Sequence, residues 1–177
     1  LIRTSQSHPI EIAWVLERDG GRLGVTFAPG KKARSAYGAP WSRDLDLDLG
    51  RMRQALGVEV LVPLVEDDEL LHLAIPDLVV KAEALGMTVD RLPIPDGEVP
   101  EPAAALLLVD RIVAALAAKQ TVVVHCRGGL GRAGTIAACT LVRLGQTPAD
   151  AMATVRRARP GAIENRRQER FVEQFRG

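Results

Sequence analysis

Residues 121–135, Thr-Val-Val-Val-His-Cys-Arg-Gly-Gly-Leu-Gly-Arg-Ala-Gly-Thr, constrain this chain more than any other stretch. The β-branched run at 121–124 predicts a strand that delivers His125 and Cys126 into a glycine-rich loop. Arg132 follows the cysteine after five intervening residues, and a helix-compatible segment opens there. A strand feeding such a loop and then a helix N-terminus aims successive backbone N–H groups at one point. That makes an anion site, and the helix dipole favours negative charge in it. The same field stabilises a thiolate at Cys126, which makes its sulfur a nucleophile at neutral pH. Arg132 adds a planar fork that holds two phosphate oxygens together. The chemistry expected is attack of a thiolate on a phosphate ester.

Bulk properties limit the alternatives. A chain of 177 residues is expected to be one domain, 1–177, large enough to bury a real core. A net charge of +1 gives no general attraction to nucleic acid or membrane. The longest apolar stretches fall short of a membrane span, and no basic segment leads into an apolar run as in a secretory signal. Two cysteines cannot build a disulfide framework, and a working thiolate suits a reducing cytoplasm. Cys139 lies beside Ile136, Thr140 and Val142 on an apolar helix face and is expected to be packing. No cofactor or metal is expected, and a monomer is.

Strand and helix signals alternate along the chain. Strands are predicted over 11–16 and 23–27, around the turn Asp19-Gly20-Gly21. Residues 28–43 read as loop. Residues 44–49 alternate Asp and Leu, a strand period, yet the strand that follows at once favours a helix from there to Leu56. A buried parallel strand is predicted over 58–65, a helix over 78–85 closed by Gly86, and a strand over 88–92. An alanine-rich helix over 100–118, the strand 121–124 and a helix over 132–144 come next. Thr147-Pro148 opens a helix to about Arg157, and a last helix covers 163–175. The fold class expected is α/β, a mostly parallel central sheet flanked by helices. The glycine-rich loop then lies at the carboxyl end of a central strand, where ligands of such sheets bind.

His125-Cys126, five residues and Arg132 form a His-Cys-x5-Arg signature, and with it the chain resembles the cysteine-dependent dual-specificity protein phosphatases. The likeness is strongest from Leu92 onward. It includes Pro93-Ile94-Pro95-Asp96-Gly97, the loop itself, and Gly161-Ala162-Ile163 followed by Gln168, with a weaker likeness over 24–30. It implies the protein tyrosine phosphatase-like fold and a metal-independent phosphatase working through a phosphocysteine. Its substrate would be a phosphorylated protein, a kinase among the candidates.

The resemblance assigns roles residue by residue. Cys126 is the expected nucleophile, and Arg132 the ligand for the phosphate and the charge that builds on its oxygens. Arg127, Gly128, Gly129, Leu130 and Gly131 make the phosphate cradle; on their own, these glycines fit an ordinary turn as well. By its surroundings Asp96 reads as a turn aspartate, but the resemblance makes it the general acid, thirty residues before Cys126. Glu98, Glu101 and, less so, Asp110 stand behind it. His125 is expected to orient the loop and help hold the thiolate, although a lone strand-end histidine is equally a core residue. Thr135 and Gln168 match supporting positions.

Two departures touch the second half of the reaction. Ala133 stands where the family commonly has a hydroxyl that serves the departing thiolate. Glu164 stands where tyrosine-specific members have the first of two glutamines four apart. The arginines at 156, 157, 159, 166, 167 and 170 read as solvated helix faces, one or two of which could steer a phosphorylated substrate. A phosphoinositide phosphatase would carry more lysines in the loop, where only Arg127 is basic. A phosphoprotein-binding module would have lost the cysteine, and Asp96 at its distance argues against sulfur-transfer or arsenate-reducing chemistry.

Overall fold

The computed structural model describes residues 2–33 and 39–176. The strands β1 (Ala13–Arg18), β2 (Gly21–Thr26), β5 (Val60–Pro63), β6 (Thr88–Val89) and β7 (Thr121–His125) form one sheet in the order β1-β2-β7-β5-β6. Only β1 runs antiparallel to its neighbour; β2, β7, β5 and β6 pair in parallel. The strands β3 (Lys32–Ala33) and β4 (Trp41–Ser42) make a separate two-stranded ribbon. The carboxyl ends of β2, β7 and β5 therefore meet at one edge, with Thr26, His125 and Pro63 in register.

Both faces of β7 are covered, which is why 122–124 reads as an unbroken apolar run. Val122 and Val124 face a core shared with α4 (Pro102–Ala117), α5 (Gly131–Arg143), α6 (Pro148–Ala158) and α7 (Arg166–Gln174). Val123 faces the opposite core, built with α1 (Leu45–Gly50), its π-helical extension Arg51–Ala55, α2 (Asp67–His72) and α3 (Leu78–Ala84). No helix among the described residues is long and apolar enough to cross a membrane.

Local chemistry sets the helix starts. Glu101 accepts from the Ala104 amide at 2.7 Å with Pro102 in the first turn, and Thr147 caps Asp150 ahead of Pro148. The last helix begins at Arg166 rather than 163, because Ile163 has φ +60° and Asn165 takes the cap by accepting from Gln168 N at 2.9 Å. The alternating Asp and Leu at 44–49 do form a helix, capped by Asp44. Residues 28–43 are not wholly loop, since β3 and β4 fall within them; positions 34–38 lie outside the described residues. Helix α2 is not predicted by the sequence. It is six residues long, too short to show a helical period, and at its start Glu69 Oε2 accepts from the Glu66 amide at 3.0 Å.

A buried ion pair ties the amino-terminal half together. Asp48 accepts from Arg43 Nε at 2.7 Å and Nη2 at 2.8 Å, and from the Gly30 amide at 2.8 Å. Arg43 and Asp48 are both 1% exposed, so neither charge has water to fall back on. Asp48→Ala is expected to destabilise the protein by about 3–5 kcal/mol, the usual cost of leaving one buried partner alone. Urea unfolding checks this; a loss under about 1 kcal/mol would mean that solvent reaches Arg43.

Candidate active site

The loop after β7 is built by close backbone approaches. Gly129 has φ +69°, and a Cβ there would strike the Thr26 carbonyl at the end of β2. A side chain at Gly131 would strike Glu164 and Gln168. Arg159 donates from Nε to the Gly129 carbonyl at 3.2 Å and from Nη2 to the Gly128 carbonyl at 2.9 Å. Peptide planarity then turns the following amides, those of Gly129 and Leu130, away from Arg159. Arg159 is thus no solvated helix arginine; it clamps the loop. Arg156 likewise serves the fold, donating to the Ala162 and Ile163 carbonyls and to Glu169.

Arg132 occupies the first turn of α5, where the helix dipole disfavours a cation. It is only 2% exposed, and anions surround it. Glu69 holds it bidentately, Oε2 at 2.6 Å from Nη1 and Oε1 at 2.9 Å from Nη2. Nη1 also donates to the Ile94 carbonyl at 2.8 Å, and Nη2 to Asp96 Oδ1 at 3.0 Å. The buried Nε is the one guanidinium nitrogen without a partner. Burial alone would raise the Glu69 carboxyl, but hydrogen bonds from Arg132 and the Glu66 amide, with the Arg132 and Arg127 charges, bring it below its ordinary range.

An open cavity of about 310 Å³ lies over the loop, lined among others by Cys126, Arg127, Asp96, Glu164, Trp41 and Lys31. Gly128 and Leu130 complete its floor. Cys126 is buried with 3% exposure, whereas the Asp96 side chain is 61% exposed. The other carboxylates weighed as acids are committed elsewhere. Glu98 pairs with Arg167, Glu101 caps α4, and Asp110 pairs with Arg143 at 2.8 Å.

His125 is completely buried, and its Nδ1 lies 3.3 Å from the Cys126 carbonyl. Burial pushes its pKa down to about 4 against the opposing effect of that hydrogen bond, with Arg132 adding to the fall. The imidazole is therefore neutral at pH 7, Nδ1–H donates to the Cys126 carbonyl, and Nε2 has no partner. Thr135 Oγ1 donates back to the Gly131 carbonyl at 2.7 Å within α5, a bond that uses its proton. Gln168 is fully buried, and its Oε1 accepts from the Glu164 amide at 2.9 Å, holding that residue at the cavity edge. Cys139 lies in the core, where burial raises its pKa.

Three residues at this site carry no sequence signal: Glu69, Arg159 and Lys31. Glu69 belongs to a helix absent from the periodicity. Arg159 follows α6 in a run of similar arginines. Lys31 sits in a loop whose glycine and proline mark only a turn.

Comparison with known proteins agrees with this fold. Residues 39–146, more than half of the chain, match the family described as a polymorphic toxin system DSP-PTPase phosphatase. The chain is 29% identical to cyclin-dependent kinase inhibitor 3 of Sus scrofa over 95% of its own length and 79% of that relative. The Homo sapiens counterpart is 28% identical over the same shares. The crystal structure of kinase associated phosphatase, with its catalytic-site cysteine replaced by serine, superposes with a TM-score of 0.85 at 26% identity, covering 95% of this chain and 94% of that one. The active form of Tk-PTP gives a TM-score of 0.72 at 27% identity over 93% and 95%. The chain belongs to the DSP-PTPase phosphatase family and is a cysteine-dependent protein phosphatase.

Glu69→Gln keeps the shape of the Arg132 anchor and removes its charge. It is expected to lower kcat/KM by roughly 10- to 100-fold, the scale of a slightly misplaced catalytic group. Steady-state kinetics with an aryl phosphate measures this, and an unchanged kcat/KM would show that Ile94 and the packing around Arg132 suffice to place it.

Proposed function

We propose that Cys126 is the nucleophile, Arg132 with the 127–131 backbone the phosphate site, and Asp96 the general acid of a phosphatase acting on phosphorylated protein side chains. Residues 1–177 act as one catalytic domain. The observation that carries this reading is the guanidinium of Arg132, which keeps Nε free and through Nη2 holds Asp96, a residue that lines the same cavity as Cys126. A bound phosphate takes Nε and Nη2, which releases Asp96 towards the ester oxygen. The Cys126 sulfur attacks phosphorus, the P–O ester bond breaks, and protonated Asp96 gives its proton to the leaving oxygen. Water then attacks the phosphocysteine and gives a proton back to the Asp96 carboxylate. The P–S bond breaks, and inorganic phosphate and the thiolate are released.

The named relatives are a cyclin-dependent kinase inhibitor and a kinase associated phosphatase, which makes a phosphorylated kinase a reasonable first substrate to offer. Two free cysteines suit a reducing cytoplasm, and we assign the chain there as a monomer. Cys126→Ser is expected to abolish turnover of an aryl phosphate and keep vanadate binding, because the amides and Arg132 remain. EDTA is expected to have no effect. Activity lost to EDTA and restored by a divalent ion would overturn the mechanism.

Ala133 and Thr135 bear on the second step. No hydroxyl follows Arg132, and the Thr135 proton is engaged on Gly131. A charge-assisted hydrogen bond to the departing thiolate is worth about 1.5–3 kcal/mol, or roughly ten- to a hundredfold in rate. Breakdown of the phosphocysteine is therefore expected to be at least partly rate-limiting. Rapid mixing should give a burst near one equivalent of enzyme, and Ala133→Ser should raise the steady rate and shrink the burst. No burst, with no faster serine variant, would mean another donor serves the sulfur.

A further inference from the structure

Lys31 reaches the cavity from outside the signature. Gly30, at φ +70°, turns the chain with its amide on Asp48, and a Cβ there would collide with Leu45. Lys31 is then 8% exposed and lines the same cavity as Cys126 and Asp96. Its ammonium donates to the Arg127 carbonyl at 3.2 Å, one residue beyond the cysteine. It also lies 4.7 Å from the centre of the Phe27 ring and 5.2 Å from that of Trp41. Among the described residues no carboxylate pairs with it.

The charges around Lys31 leave it short of an anion. Arg43, Arg127 and Arg159 face it from the β4–α1 junction, the phosphate loop and the segment after α6. Asp48 is taken up by Arg43, and Asp96 by Arg132. Cys126 and Glu164 are the remaining acidic groups of the cavity. A buried cation in such a setting is costly until an anion arrives.

On the reading of Cys126 and Arg132 given above, we propose that Lys31 is a further substrate-binding residue, whose ammonium meets the phosphoryl oxygens of the bound ester and of the phosphate product. Burial lowers its pKa to about 8, Cys126 opposes that fall, and the three arginines deepen it. Lys31 is thus charged and able to bind below about pH 8, and neutral above. Because kcat/KM reports the free enzyme, its pH profile for an aryl phosphate should fall on the basic side near that value.

Two variants test this, with inorganic phosphate as the probe. Lys31→Met should weaken phosphate inhibition about 10- to 100-fold, raise KM more than it lowers kcat, and abolish the basic limb. Lys31→Arg should keep phosphate affinity within about threefold while the limb near pH 8 disappears, since a guanidinium does not lose its proton there. Thermal melts of both show whether the fold is kept. A purely structural lysine stacked on Phe27 and Trp41 would change the melt and leave phosphate affinity and the pH profile alone. Unchanged phosphate inhibition in folded Lys31→Met, or a basic limb that survives in Lys31→Arg, overturns the assignment while the cysteine mechanism stands. Absence of turnover and of vanadate binding in the wild type would instead remove the reading beneath it.

Discussion

A buried arginine at a helix N-terminus is electrostatically misplaced, and much of this architecture answers that problem. Arg132 is fixed by its place in the first turn of α5, so anions have to come to it. Glu69 arrives on α2, after β5, while the Ile94 carbonyl and Asp96 arrive on the segment after β6. Parallel pairing makes this possible, because it brings the carboxyl ends of β5, β6 and β7 to one edge of the sheet. The guanidinium is satisfied on one side and left with a free Nε on the other. A phosphate-binding arginine needs both conditions, rigid placement and an unused donor.

The amino-terminal half supplies the second layer of support. Asp48 joins the Gly30 amide to Arg43, and the Arg43 amide donates to the Lys31 carbonyl at 3.2 Å. Phe27 and Trp41 fill the space between these cations, each ring near both Lys31 and Arg43. The wall of the cavity opposite the signature is therefore a buried, hydrogen-bonded unit, although it is made mostly of short loops and a two-stranded ribbon. Arg159 does the same for the loop itself from the carboxyl-terminal side.

How legible these parts are in the sequence follows from how local their causes are. The strand 121–124, the helices capped by Thr147 and Glu101, and the helix over 78–85 depend on neighbours in the chain, and they stand where periodicity and caps put them. The signature 125–132 is local too, since strand, glycines and helix start lie within one stretch. Glu69 is different: its helix has only six residues, and its partner Arg132 is 63 positions away. Lys31, 96 positions from Arg127, and Arg159, about 30 from the carbonyls it holds, are invisible for the same reason. The start of α7 was obscured by Ile163, whose positive φ no side-chain pattern announces.

Charge balance connects the departures from the family pattern. Glu164 places a carboxylate at the edge of a cavity proposed to receive a phosphate dianion, where a glutamine would be neutral. Gln168 holds its backbone there, so the side chain is not simply free to leave. Taken alone, that substitution weakens anion binding by repulsion. Lys31 brings a positive charge to the same cavity, from a loop that carries no part of the signature. On the proposed role of Lys31, substrate affinity depends on the pair rather than on either residue, and replacing Glu164 by glutamine should matter less when Lys31 is present than when it is gone. Coupling of this kind is what two opposite charges beside one bound anion produce, and on the proposed reading it makes the anion site a property of both halves of the chain.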